Sequence, residues 1–408
     1  MVQEREIMRI LVVSSGRIPT PPRTGGGVEK YTYFLARALS QLGHQVDYVT
    51  NVSPDYKPFP GVHVIPLPAF GFSLQDSYLA SGVGLLLGGT IARSRAARAM
   101  REKRYDIADF HSPISSLGAL PMRVRPKIPV AFTAHNPVPW NLHAEGGLSA
   151  KLRSLTFTAI DARVASRADG VIALGTELRT SLVKELGLNP ARTFMTTVGV
   201  DPTPYQLSDE VVENVRRRLH LPSRYVLFVG RFVPQKGVSL LLIALAGTGI
   251  PLVLVGDGPM FQTLTRQARD LNMAETVRFL GSCPPDELSA IYRGASVYAL
   301  PSLAEGMPHV VLEAAAAGLP IVATRVEGIG AIVVEGETGH IVPIADPEAL
   351  RRAIQSLFSD PTQAQRLGKN ARLRAQTKFS WRAVAEKTLE AYSAIIAQTV
   401  LEPSQRHC

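Results

Sequence analysis

Short apolar runs alternate with longer amphipathic stretches along most of the chain. In the first half the runs fall at 10–13, 46–50, 130–134 and 170–174, with a helical pattern over 29–42. In the second half they fall at 225–230, 251–256, 277–280, 295–300 and 320–324, each followed by a helical pattern or a turn. Such alternation predicts parallel, helix-covered sheets, so the fold class is α/β with two doubly wound units. The proline-punctuated Asp201-Pro202-Thr203-Pro204 cannot continue a helix and reads as a hinge, which gives domains over 1–203 and 204–379 and a terminal segment over 380–408. In that segment Val384, Leu389, Tyr392, Ile395 and Ile396 form an apolar stripe on a helix over 381–397. Open parallel sheets bind ligands beyond the carboxyl ends of their strands, so chemistry is expected in a cleft between two such domains.

The chain has 408 residues, 46% of them hydrophobic, enough for two cores. A formal net charge of +10 favours anionic partners. Nucleic acid is not expected, because the basic residues are not interleaved with aromatic stacking positions. The only cysteines are Cys283 and Cys408, which excludes a disulfide framework and fits a reducing, cytoplasmic setting. The first six residues lack the layout of a secretory signal. The weakly polar stretch 78–92 carries Gly82, Gly84, Gly88 and Gly89 and is too short for a membrane span. Arg93, Arg95, Arg98, Arg101, Lys103 and Arg104 follow it on a helix-like segment, either a face for peripheral docking on anionic lipid or a solvated surface.

The densest chemical signal runs from Pro301 to Thr324. Glu305-Gly306-Met307-Pro308 reads as a turn, and the small-residue stretch after His309 as a helix whose first amides, those of His309 and Val310, point back into it. A helix N-terminus favours phosphate. Glu305 would be repelled by phosphate and suits neutral sugar hydroxyls, while Glu313 could accept bonds from ribose hydroxyls. A plainer alternative makes Glu305 a loop residue and Glu313 part of a solvated face. After the strand at 225–229, Arg231 and Lys236 are spaced to converge on one anion, for which a diphosphate leaving group fits. Exposed loop cations are the alternative. Gly256-Asp257-Gly258-Pro259 lines the same region without matching a dinucleotide fingerprint. In the first half, Gly25, Gly26 and Gly27 precede a helix and would let backbone amides approach a ligand. His135 ends a buried-looking strand as a candidate sugar contact, and His111 is placed similarly.

These motifs, together with Leu35-Ala36-Arg37-Ala38-Leu39, Gly43-His44 and Gly199-Val200-Asp201, resemble family-4 glycosyltransferases over nearly the whole chain. The resemblance implies the GT-B fold, two Rossmann-like domains facing each other with a C-terminal helix crossing back to the first. It implies a retaining hexosyltransferase using a nucleotide diphosphate sugar, with Arg231 and Lys236 on the diphosphate. Glu305 and the backbone of Gly306, Met307 and Pro308 would hold the hexose, and Glu313 the ribose. His135 would touch the sugar ring, Gly25 to Gly27 would close over the donor, and the strand end around Phe279 would flank the base. Relatives commonly place asparagine where Val198 stands.

Neither glutamate suits the role of nucleophile, so a same-face mechanism is expected, with the cations and helix amides stabilising the departing diphosphate. No metal-ligand cluster is apparent in the sequence, and no metal or other cofactor is expected. The acceptor, whether glycan, lipid-linked or small molecule, is not specified by the sequence. Competing readings are a nucleotide-sugar epimerase or hydrolase, and a non-catalytic nucleotide-sugar-binding protein.

Overall fold

The computed structural model describes residues 6–15, 19–20, 27–52, 59–67, 78–112, 128–135, 160, 162–305 and 307–401, of which 78–88 and 401 are described by backbone alone. The chain divides into two compact units, Met1–Val198 with Trp381–Cys408, and Gly199–Ser380.

In the first unit the described strands are β1 (Arg9–Val13), β2 (Gln45–Asn51), β3 (Val62–Leu67), β4 (Ile107–Phe110), β5 (Val130–Ala134), β6 (Gly170–Leu174) and β7 (Thr193–Thr196), with helices α1 (Gly27–Gln41), α2 (Tyr78–Glu102) and α3 (Thr176–Glu185). The strands form one parallel sheet in the order β3-β2-β1-β4-β5-β6-β7. The inner strands β4, β5 and β6 are buried at every residue, as parallel strands covered on both faces must be. Ala92, Ala96 and Met100 of α2 enter a core with Leu11, Val13 and Phe110. That commits the apolar stripe of α2 to the unit's own core and leaves Arg93, Arg95, Arg98, Arg101, Lys103 and Arg104 exposed. Two of these charges are paired, Arg98 with Glu102 at 2.6 Å and Lys103 with Asp47 at 2.7 Å.

The second unit contains α4 (Asp209–Arg218), β8 (Val226–Val229), α5 (Val238–Leu245), β9 (Leu252–Val255), α6 (Phe261–Asp270), β10 (Val277–Gly281), α7 (Pro285–Gly294), β11 (Val297–Leu300), α8 (His309–Ala317), β12 (Ile321–Thr324), α9 (Ile329–Ile332), β13 (Gly339–Val342), α10 (Pro347–Ser359) and α11 (Pro361–Lys378). Its sheet runs β10-β9-β8-β11-β12-β13, again parallel. In both sheets the strand order reverses, between β1 and β4 and between β8 and β11, and such a switch point opens a crevice at the carboxyl ends.

The last helix, α12 (Trp381–Leu401), belongs to the first unit. Trp381 stacks on Phe34 with ring centroids 5.3 Å apart and meets Tyr31 edge-on at 5.4 Å. The division falls at Val198 and Gly199 rather than between 203 and 204. The proline segment is folded into the second unit. Asp201 accepts the Thr203 N–H at 2.9 Å, Thr203–Tyr205 forms a 3-10 turn, and Tyr205 is buried against Tyr292. Just ahead of it the Val200 N–H donates to the Phe379 carbonyl at 2.7 Å. No helix among the described residues is long and apolar enough to cross a membrane.

Candidate active site

The loops after β8 and β11 face each other across the switch point of the second sheet. Phe232 is fully buried and anchors the first loop. Its neighbour Arg231 is exposed. Next comes the 3-10 turn Pro234–Lys236, and Gly237 follows at φ 63°. A Cβ at Gly237 would lie 2.0 Å from the Pro301 carbonyl oxygen, so only glycine allows this approach. Gln235 completes the seam. Its carbonyl accepts the Leu303 N–H at 2.8 Å, and its side-chain amide donates to the Ala304 carbonyl at 2.9 Å.

This seam brings Lys236 onto Glu305, with Nζ 2.6 and 2.8 Å from the two carboxylate oxygens. Ser302 donates to Glu305 Oε1 at 2.6 Å. Glu305 is only 7% exposed and the Lys236 side chain 23%. The strand end beneath is fixed by Thr324, whose hydroxyl donates to the Ser302 carbonyl at 2.5 Å. A carboxylate so enclosed needs donors around it, and Lys236 and Ser302 supply them.

Beyond the turn, Met307 is half-buried and Pro308 buried; α8 then starts at His309. Pro308 occupies the N-cap position and offers no side-chain cap, leaving that end of α8 suited to an anion. Four residues into the helix, Glu313 accepts from the Tyr292 hydroxyl at 3.2 Å. Burial, followed by the Glu313 charge, pushes the Tyr292 hydroxyl far above the ordinary phenol range, so it remains a donor. Tyr298 is raised similarly, by burial and then by Glu305 and Glu313. Phe279 turns its ring into the core, against Phe232 and Phe261 at 6.2 and 5.6 Å.

His135, in the first unit, closes β5 and lies 3.0 Å from His111, Nε2 to Nδ1. Gly27 opens α1. Gly25, Gly26 and Gly306 lie outside the described residues. Ser302 and Tyr292 carry no signal of their own in the sequence. Ser302 adjoins the glutamate motif, but its role depends on how the chain turns back at Glu305. Tyr292 sits on another helix altogether.

Residues 25–203 match the family described as Glycosyltransferase Family 4, and residues 213–374 the family described as Glycosyl transferases group 1. The chain is 30% identical to the D-inositol 3-phosphate glycosyltransferase of Corynebacterium glutamicum, over 98% of this chain and 100% of that one. Its structure resembles the sucrose-phosphate synthase of Thermosynechococcus elongatus, with TM-score 0.77 and 25% identity over 96% of this chain and 100% of the other. It also resembles Anabaena HepE in complex with UDP, with TM-score 0.70 and 19% identity over 95% of this chain and 100% of the other. The chain belongs to glycosyltransferase family 4 and is a glycosyltransferase of the GT-B fold.

Proposed function

We propose that this glycosyltransferase moves a hexose from a nucleoside diphosphate sugar to an acceptor hydroxyl, with retention of anomeric configuration and without a metal ion. The Lys236–Glu305 contact carries the reading. Paired with a cation, Glu305 offers hydrogen-bond acceptors to sugar hydroxyls without presenting a net negative charge to an anionic donor. Its place beside the uncapped start of α8 suits a ligand with hydroxyls at one end and phosphates at the other.

In this reading Lys236, Arg231 and the amides of His309 and Val310 hold the diphosphate. Glu305 and the backbone of Gly306, Met307 and Pro308 hold the hexose, and His135 touches its ring. Glu313, oriented by Tyr292, takes the ribose hydroxyls. Because the Phe279 ring is committed to the core, the β10 end would flank the base through backbone. Gly25 to Gly27 approach the donor. The acceptor oxygen bonds to the anomeric carbon on the face from which the diphosphate departs. As the carbon–phosphate oxygen bond breaks, that phosphate oxygen takes the acceptor's proton. Positive charge held in place stabilises the leaving group.

Uridine is the first base to try, because HepE was solved with UDP. Phosphorylated polyols are the first acceptors, given the names of the corynebacterial and Thermosynechococcus relatives. Release of nucleoside diphosphate with hexose appearing on an acceptor supports the reading. Unimpaired transfer by Lys236→Ala or Glu305→Ala contradicts it.

A further inference from the structure

At the C-terminal end of α8, two arginines of the second unit meet at one oxygen. Arg372 of α11 donates from Nη2 to the Ala317 carbonyl at 2.7 Å, and Arg293 of α7 donates from Nη1 to the same carbonyl at 3.4 Å. Gly318, at φ 85°, makes room for them. A Cβ there would lie 2.9, 3.0 and 3.1 Å from Nη2, Nε and Cζ of Arg372, so the guanidinium rests against bare backbone.

Capping the helix accounts for one of these arginines. The unpaired carbonyls at a helix C-terminus carry about half a negative charge, which one guanidinium offsets. The second leaves an excess of positive charge. Burial, and next the Arg293 charge, hold the Arg372 guanidinium below its usual value. Asp209 relieves the pair little, since its carboxylate is fully exposed and lies 3.9 Å from Arg293 Nη2, too far for a hydrogen bond. Each guanidinium has five N–H donors and uses one. Among the described residues neither makes a further hydrogen bond, and Nε of each is buried without a partner. Both side chains are part-exposed, Arg293 at 25%, which leaves the pair open to an ion from solution.

We propose that Arg293 and Arg372 form a second anion site, which takes a phosphate group, either free or as a phosphate monoester. Two planar forks match the oxygens of a phosphate, and two positive charges match a dianion. With nine residues in α8, this end lies about 13 Å from the helix start proposed for the donor diphosphate, so the two sites are distinct. The inference needs no glycosyl transfer and stands apart from that reading.

The test is calorimetric titration of the full chain with inorganic phosphate, at an ionic strength held constant with chloride. The parent should bind phosphate, and Arg231→Gln, altered on the donor side, should still bind it. Arg293→Gln gives up only the 3.4 Å bond and should fold, yet weaken phosphate about tenfold or more through the lost charged donor. In the parent, phosphate should also protect Arg293 and Arg372 from phenylglyoxal, mapped by mass spectrometry, a readout that needs no variant. Glycerol phosphate binding more tightly than inorganic phosphate assigns the site to a monoester, and equal or weaker binding assigns it to the free ion; either supports the proposal. Absence of phosphate binding, binding abolished by Arg231→Gln or untouched by Arg293→Gln, or both arginines left unprotected overturns it.

Discussion

Lys236 holds both oxygens of Glu305, at 2.6 and 2.8 Å, from a loop 69 residues away in sequence. The contact joins the two loops at the switch point of the second sheet and leaves each charge dependent on the other. Removing one partner strands the other in a largely enclosed site. Lys236→Met and Glu305→Gln should each lower stability by about 1–3 kcal/mol, with the double variant costing less than the sum. Denaturant melts of the four proteins check this, and strictly additive losses would show that the pair is not coupled. Activity measurements on either single variant should therefore be read beside its melt.

Gly237 is the second point at which the loops depend on each other. Gly237→Ala combines a left-handed φ of 63° with a Cβ only 2.0 Å from the Pro301 oxygen, so the seam must open. The expected loss is about 2 kcal/mol or more, together with most of the turnover, because Lys236 and Glu305 are drawn apart. Wild-type stability in this variant would mean that the loop relaxes without cost.

Tyr292→Phe keeps the ring and deletes the donor to Glu313. Stability should fall by about 1 kcal/mol. If Glu313 takes ribose hydroxyls, the thermal shift produced by nucleoside diphosphate should shrink, since the carboxylate loses one of the contacts that orient it. An unchanged shift would detach Glu313 from the nucleotide.

Buried tyrosines predict a particular response to alkali. Tyr292, Tyr298 and Tyr392 are all held far above the ordinary value of 10.0, chiefly by burial and next by nearby carboxylates. Below about pH 10 these phenols are protonated in both folded and unfolded chains, so they add no pH dependence. Above it the unfolded chain loses their protons first, and stability falls as pH rises, by up to about 1.4 kcal/mol per unit for each group. Unfolding followed between pH 8 and 11, with phenolate absorbance, should show absorbance from these residues only as the chain unfolds.

Much of this was legible in the chain before any coordinates. Inner strands such as β8, β9 and β11 read as unbroken apolar runs because both of their faces are buried. The edge strand β3 carries exposed positions and Pro66, so it leaves no such run. The 25 residues of α2 read as two segments, since its glycines mask a continuous helix. Arg231, Lys236 and Glu305 stand out because strand-to-helix loops concentrate them, and Glu313 because it follows one of these loops within the helix His309–Ala317. That Lys236 meets Glu305 follows only from β8 lying beside β11, a fact of topology. The contact of Tyr392 with Asp109 spans 283 residues and has no local signature.

The most direct test of the central claim is product analysis by proton NMR after incubation, without metal, with UDP-, GDP- and ADP-hexoses and a panel of phosphorylated and free polyols and glycans. The expected products are one nucleoside diphosphate and a hexose joined to an acceptor, or slowly to water, in the donor's own anomeric configuration. An inverted product, a donor epimerised without transfer, or no turnover of any donor would contradict it.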